Sequence, residues 1–180
     1  MAEALLARRL AGHGIAATVH SAGIEVAGVP GEGQRPPPGA IVAMTAYELD
    51  TASHGSHQLT ATDLGRADMV IAMARMHVRH AVVMRPEVWP RAFTLKELVR
   101  RGEAIGSRPA GEPLAGWLAR LHGARDRQAL LGHGPDDDVA DPIGGPPQAY
   151  HDTAALLDTL VSHLVKVCWG EEALPIEPPH

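Results

Sequence analysis

Asp68-Met69-Val70-Ile71-Ala72-Met73 is a continuous apolar run behind one acidic residue. It has the pattern of a strand buried on both faces, which a parallel sheet covered by helices requires. On its C-terminal side, residues 75–84 read as a helix that Pro86 helps to close. Ala92-Phe93-Thr94-Leu95 reads as a second short strand. Strand, helix and strand in succession imply an α/β domain with a mainly parallel sheet.

The pattern extends outward in both directions. Thr60 or Thr62 caps a helix start within residues 59–63, and residues 40–48 form a short helix. Gly28 to Gly39 hold four Gly and four Pro and form a loop. Residues 16–22 read as a short strand running into Gly23. Ala2, Leu6 and Leu10 repeat at helical spacing, with Leu5 widening the stripe, so residues 1–14 form a helix ended by Gly12 and Gly14. Downstream, residues 113–131 are helical with Leu114, Trp117, Leu118 and Leu121 on one face. Residues 136–147 form a Gly/Pro/Asp loop. A long amphipathic helix follows from Tyr150 to Trp169, its core face made by Leu157, Val161, Leu164, Val165 and Cys168. One domain is expected over residues 1–170, with a Pro-rich tail at 171–180.

Composition narrows the function classes. The chain has 180 residues, 45% of them hydrophobic, enough for one domain with a real core. The net charge is −5 with histidine neutral, and the basic residues are scattered, so no nucleic-acid footprint is present. No apolar run approaches the ~20 residues of a membrane span, and no membrane partner is expected. Glu3, Arg8 and Arg9 interrupt any apolar start that a signal peptide would need. The single Cys168 excludes an internal disulfide and a thiolate zinc cluster and fits a reducing compartment; a cytoplasmic protein is expected. His54-x-x-His57 and His77-x-x-His80 have helical metal spacing without a shared carboxylate, so polar helix faces rather than a metal site are expected. No cofactor is implied.

Several segments, in order, resemble the low-molecular-weight protein-tyrosine-phosphatase family. Met1-Ala2-Glu3-Ala4-Leu5-Leu6 resembles the start of the helix that follows that family's phosphate loop. Ser21-Ala22-Gly23 resembles the end of its second strand, and residues 53–60 its His segment. Residues 67–73, with His77 after them, resemble its third strand and the helix behind it. Residues 138–142, ending in Asp141-Pro142, resemble its general-acid loop. The stretch from Arg100 to Gly134 has no counterpart in the resemblance.

The resemblance implies a three-layer α/β/α fold with a mainly parallel four-stranded sheet in the order 2-1-3-4. It also implies a Cys-x5-Arg-Ser phosphate loop after a first strand, immediately before Met1. That motif is not in this sequence, so the expectation is a chain missing its first strand and nucleophile loop, and inactive as given. It further implies hydrolysis of a phosphomonoester through a cysteinyl-phosphate, on a phosphorylated protein or a small phosphomonoester. Asp141 would be the general acid, and Ser21 and His54 would support the loop. Asp136, Asp137 and Asp138 would raise the pKa of Asp141 by like-charge repulsion. The family often places aromatic residues after Asp-Pro to wall a phosphotyrosine slot; here Ile143 and Gly144 stand there. Cys168, on a core helix face without a Gly-rich loop, is expected to be a buried structural thiol. Two other readings stay open. One is a non-catalytic domain that binds a phosphorylated partner. The other is a relative of thioredoxin-coupled arsenate reductases, whose chemistry needs several cysteines.

Overall fold

A computed structural model describes residues 1–24, 33–123, 125–132 and 134–170. The tail at 171–180 and the middle of the Gly/Pro loop, residues 25–32, lie outside the described residues. Helix α1 spans Ala2–Gly12 and buries Leu5, Leu6 and Leu10, the stripe set by the sequence spacing. Helix α2, Pro38–Thr45, starts two residues earlier than the pattern suggests because Pro38 can occupy the first helical position. Helix α3, Ala61–Arg66, opens with a capping box between Thr60 and Asp63. Strand β1, Val70–Ala72, leads into helix α4, Arg75–Met84, a 3₁₀ turn, Pro86–Arg91, and strand β2, Ala92–Thr94.

The two strands are parallel, with Val70 opposite Ala92, Ile71 opposite Phe93 and Ala72 opposite Thr94. This register sorts their side chains into two cores. Ile71 and Phe93, with Met69 and Met73, join Leu5, Leu10, Leu98, Trp117, Leu157 and Leu164 on one face. Val70, Ala72 and Ala92 join Leu64, Val78, Ala81 and Val88 on the other. Alternation across the pleat thus produces the helix, sheet, helix layering of an α/β fold.

Helices α5, Leu95–Ile105, α6, Leu114–His122, and α7, Pro147–Trp169, complete the first layer. Thr94 caps α5 by accepting the Glu97 N–H at 3.1 Å. α7 also begins earlier than expected, again on a proline, Pro147. Among the described residues no helix is long and apolar enough to cross a membrane.

Three expectations are corrected. Residues 16–22 form no strand. Among the described residues a ladder-like contact comes just beyond, where Gly23 and Gln58 make a parallel bridge, with Gly23 N donating to His57 O and Leu59 N to Gly23 O. A strand needs a neighbour to complete its ladder, and among the described residues none pairs with residues 16–22 or with the edge of β1 away from β2. For the same reason β1 is not buried on both faces: Val70 and Ile71 are only half-buried, and Ala72 alone is fully covered.

The third correction concerns residues 113–131, which are not one helix. α6 stops at His122, and a separate 3₁₀ turn, Arg127–Leu130, is capped by Asp126. Between them Arg125 leaves the helical path to bond Glu97 through Nε at 2.8 Å and Nη2 at 3.0 Å. Its guanidinium lies 3.7 Å from the Trp89 ring centre and 4.0 Å from that of Phe93. The segment without a counterpart in the resemblance is therefore built into the core by Trp117 and by this buried ion pair.

Candidate functional site

The first turn of α1 is the first half of the site. Its N–H groups point their partial positive charge outward, where an anion is favoured. Glu3 stands in that turn. Ser21, at the end of the extended segment, donates its hydroxyl to Glu3 Oε2 at 2.5 Å. His54 Nδ1 lies 3.6 Å from the same oxygen. Ser21 and His54, separated by more than thirty positions, thus meet on one carboxylate. His54 is placed by a turn in which its N–H donates to Thr51 O at 3.1 Å. A cleft of about 260 Å³ opens here between α1, α2 and residues 50–54.

The loop after the 3₁₀ turn is the second half. Its anchoring follows from charge. Asp137 is buried and takes Arg75 Nε on one oxygen at 2.8 Å and Arg100 Nη1 on the other at 2.7 Å. Burial pushes its carboxyl up, but the bonds to Arg100 and Arg75 outweigh that and hold it below the usual carboxylate range. Asp138 accepts the Arg75 backbone N–H at 2.7 Å and so caps α4, whose own N-cap residue, Ala74, has no side chain to do so. Lys96 Nζ donates to Asp138 O at 2.7 Å, and Val139 N to Met73 O at 2.7 Å, which ties the loop to the carboxyl end of β1. In open α/β sheets that end is where ligands bind.

Asp141 emerges from this anchor exposed to solvent. Its Oδ1 accepts the Ile143 N–H at 3.0 Å, a local turn that fixes the carboxylate. Two of the neighbouring carboxylates have partners of their own, Asp137 with Arg75 and Arg100 and Asp138 with the Arg75 N–H at the start of α4. His77, which the sequence reading placed on the helix behind β1, is a titratable neighbour of Asp138 and Asp141. Burial lowers its pKa, while the carboxylates of Asp138 and Asp141 pull it upward. Among the described residues Asp141 bonds neither Ser21, His54 nor Glu3, and it is not in the lining of the cleft. The structure brings the two loop-supporting candidates together and leaves the acid candidate on its own loop.

Cys168 sits in the core on α7 with no exposed surface. Burial pushes its thiol up to about 12, against the pull of the neighbouring Arg108. Among the described residues no group of three His, Cys, Asp or Glu side chains could hold a metal ion.

Comparison with known proteins adds the family context. The sequence model described as low molecular weight phosphotyrosine protein phosphatase matches residues 1–106. Among solved structures, a low molecular weight protein tyrosine phosphatase from T. tengcongensis is 27% identical with a TM-score of 0.65, covering 92% of this chain and 87% of its own. The YwlE arginine phosphatase from Geobacillus stearothermophilus is 27% identical with a TM-score of 0.63, covering 92% and 80%. A YwlE mutant from Bacillus subtilis is 26% identical with a TM-score of 0.65, covering 92% and 86%. No curated protein matches the sequence.

Proposed function

The chain belongs to the low molecular weight phosphotyrosine protein phosphatase family, and from that premise we propose that it forms the body of a phosphomonoester hydrolase working through a cysteinyl-phosphate, with Asp141 as general acid and Ser21 and His54 supporting the phosphate loop. In such a reaction a thiolate attacks phosphorus and the ester oxygen leaves with a proton from Asp141. Water, activated by the resulting carboxylate, then releases phosphate from sulfur. The observation that carries the reading is the convergence of Ser21 and His54 on the first turn of α1, at the helix end suited to a phosphate.

Cys168 does not fit the nucleophile's part, because a buried thiol with a pKa near 12 supplies almost no thiolate at neutral pH. The 180-residue chain alone is therefore expected to be inactive on aryl phosphates, and that same observation favours the second reading, a non-catalytic domain that binds a phosphorylated partner. The substrate class we infer is a phosphorylated protein side chain, in a cytoplasmic setting. Ile143, 69% exposed beyond Asp141-Pro142, offers an aliphatic wall and not an aromatic one. This, with the arginine phosphatases among the similar structures, is the support for testing phosphoarginine beside phosphotyrosine.

Assays with p-nitrophenyl phosphate test the proposal. The 180-residue chain should show no turnover, and Cys168→Ser should change nothing. With a strand and Cys-x5-Arg-Ser segment fused before Met1, turnover should appear, and Asp141→Asn should depress it by ~10²–10⁴-fold. A loss below about tenfold would remove Asp141 from the acid's role. Phosphotyrosyl and phosphoarginyl peptides, compared by kcat/KM on the fused protein, decide the substrate.

A further inference from the structure

We propose that Asp137 is a positioning residue for the acid of the reaction proposed above, its bonds to Arg75 and Arg100 setting where Asp141 stands. Asp141 does not hold its own place. It is exposed, and its hydrogen bond from the Ile143 N–H is local, so it travels with the loop. The anchor lies just upstream. Asp137 is 6% exposed; one oxygen takes both Nε and Nη2 of Arg75 at 2.8 Å, and the other takes Arg100 Nη1 at 2.7 Å. Arg75 opens α4, just past β1, and Arg100 lies on α5, which follows β2 directly. One carboxylate therefore ties the loop to the helices that follow both paired strands.

Stability alone does not call for a charge here. An apolar side chain of similar volume often serves a buried site as well as an ion pair does. What the ion pair adds is direction: each guanidinium N–H has to aim at an oxygen, which fixes the carboxylate in rotation as well as in place. The surrounding chain is shaped to the same end. A Cβ on Gly134 would run into the Arg75 guanidinium, so the loop passes that arginine only without a side chain there. Lys96 Nζ donates to Pro135 O at 3.2 Å and Arg100 Nη1 to Asp136 O at 3.4 Å, which holds the backbone before Asp137. After it, the buried Val139 and its N–H on Met73 O carry the constraint toward Asp141, and Pro142 fixes the backbone beyond. The stretch from anchor to acid is short, and a group misplaced by about 1 Å can lose ~10² in rate.

The inference rests on the reading of Asp141 as general acid, and two measurements separate its failure from the failure of that reading. The first needs no turnover. Burial pushes the His77 pKa down; the Asp138 and Asp141 carboxylates pull it up, and His80 on the same helix pushes it down. In NMR titrations of the 180-residue chain, Asp141→Asn should lower the His77 pKa, because a negative neighbour is lost. In an Asp137→Asn or Arg100→Met background the same change should lower it by less than half as much, because Asp141 has already left its place. Arg100 is half-exposed, so Arg100→Met keeps the test if Asp137→Asn does not fold. The second measurement uses the protein with the strand and Cys-x5-Arg-Ser segment fused before Met1. There Asp137→Asn should cut kcat/KM by ~10–10²-fold on phenyl phosphate, whose leaving group needs the proton, and by less on p-nitrophenyl phosphate. Added to Asp141→Asn, it should cost nothing more. An Asp141 effect on His77 that is absent, or as large in both variant backgrounds as in the unmodified chain, would overturn the inference, as would equal losses on the two substrates. A fused protein without turnover would sink the phosphatase reading alone, and the titration would still decide the placement.

Discussion

At the start of α3, Asp63 and Thr60 bond reciprocally: Asp63 Oδ2 accepts the Thr60 N–H at 2.9 Å and Thr60 Oγ1 accepts the Asp63 N–H at 3.2 Å. His57 Nε2 lies 3.0 Å from the same carboxylate oxygen. The Thr60 hydroxyl first, and then His57, hold the Asp63 carboxyl down at about 2. The sign follows from comparison with an unfolded aspartate near ~3.9. A depressed folded pKa means stabilisation that is complete above the unfolded value and is lost as pH falls through about 2. Asp63→Asn should cost about 1 kcal/mol at neutral pH, the usual worth of a helix cap. Urea unfolding of both proteins should show the difference shrinking between about pH 4 and pH 2. A difference that stays constant over that window would mean the ionised carboxylate does not hold the cap.

Within elements, α5 shows two features of opposite kinds. Gly102 is buried in mid-helix, where glycine usually costs stability. Here a Cβ would meet Val167 Cγ2 at 2.9 Å and Trp117 Cζ2 at 3.2 Å, so the missing side chain is what lets α7 approach. Gly102→Ala should therefore destabilise by about 1–3 kcal/mol despite its better helix propensity. A stabilised variant in thermal unfolding would show that α7 yields readily. One turn earlier, Glu97 binds both Arg101 and Arg125, and the Arg125 side chain is 1% exposed. Glu97→Ala leaves that charge unpaired in the core and should cost about 3–5 kcal/mol, read from chemical denaturation. These features mark what the sequence could and could not convey. α1, β1, α4, β2 and α7 were legible because each is set by its own periodicity or apolar run. The end of α6 was not, because Arg125 breaks the pattern to reach a partner 28 positions away. At the site, Ser21 and His54 were legible only by resemblance. Glu3 reads from sequence as an ordinary first-turn acid, and the burial of Asp137 exists only in the folded chain.

For the molecule as a whole, the sheet is the decisive element. A strand in the middle of a parallel sheet is defined by pairing on both edges, and its neighbours depend on it in turn. Residues 16–22 have the composition of a strand yet stay unpaired, with Ile15 and Val19 half-buried against the main core and the residues between them exposed. Among the described residues β1 is paired with β2 alone. A backbone group left without a strand partner costs ~1–3 kcal/mol where it is shut off from water, and Val70 and Ile71 of β1 are half-buried. An open edge is also a template for pairing with another chain. The 180-residue protein should therefore unfold in a broad transition at low temperature, by circular dichroism, with aggregation that grows with concentration. Fusing an apolar strand segment before Met1 should sharpen the transition and raise its midpoint, because the new strand pairs with both free edges. A cooperative transition of the unfused chain within the ~45–65 °C usual for domains of mesophiles would defeat this argument. It would mean that the two cores on the faces of β1 and β2 hold the fold without a completed sheet.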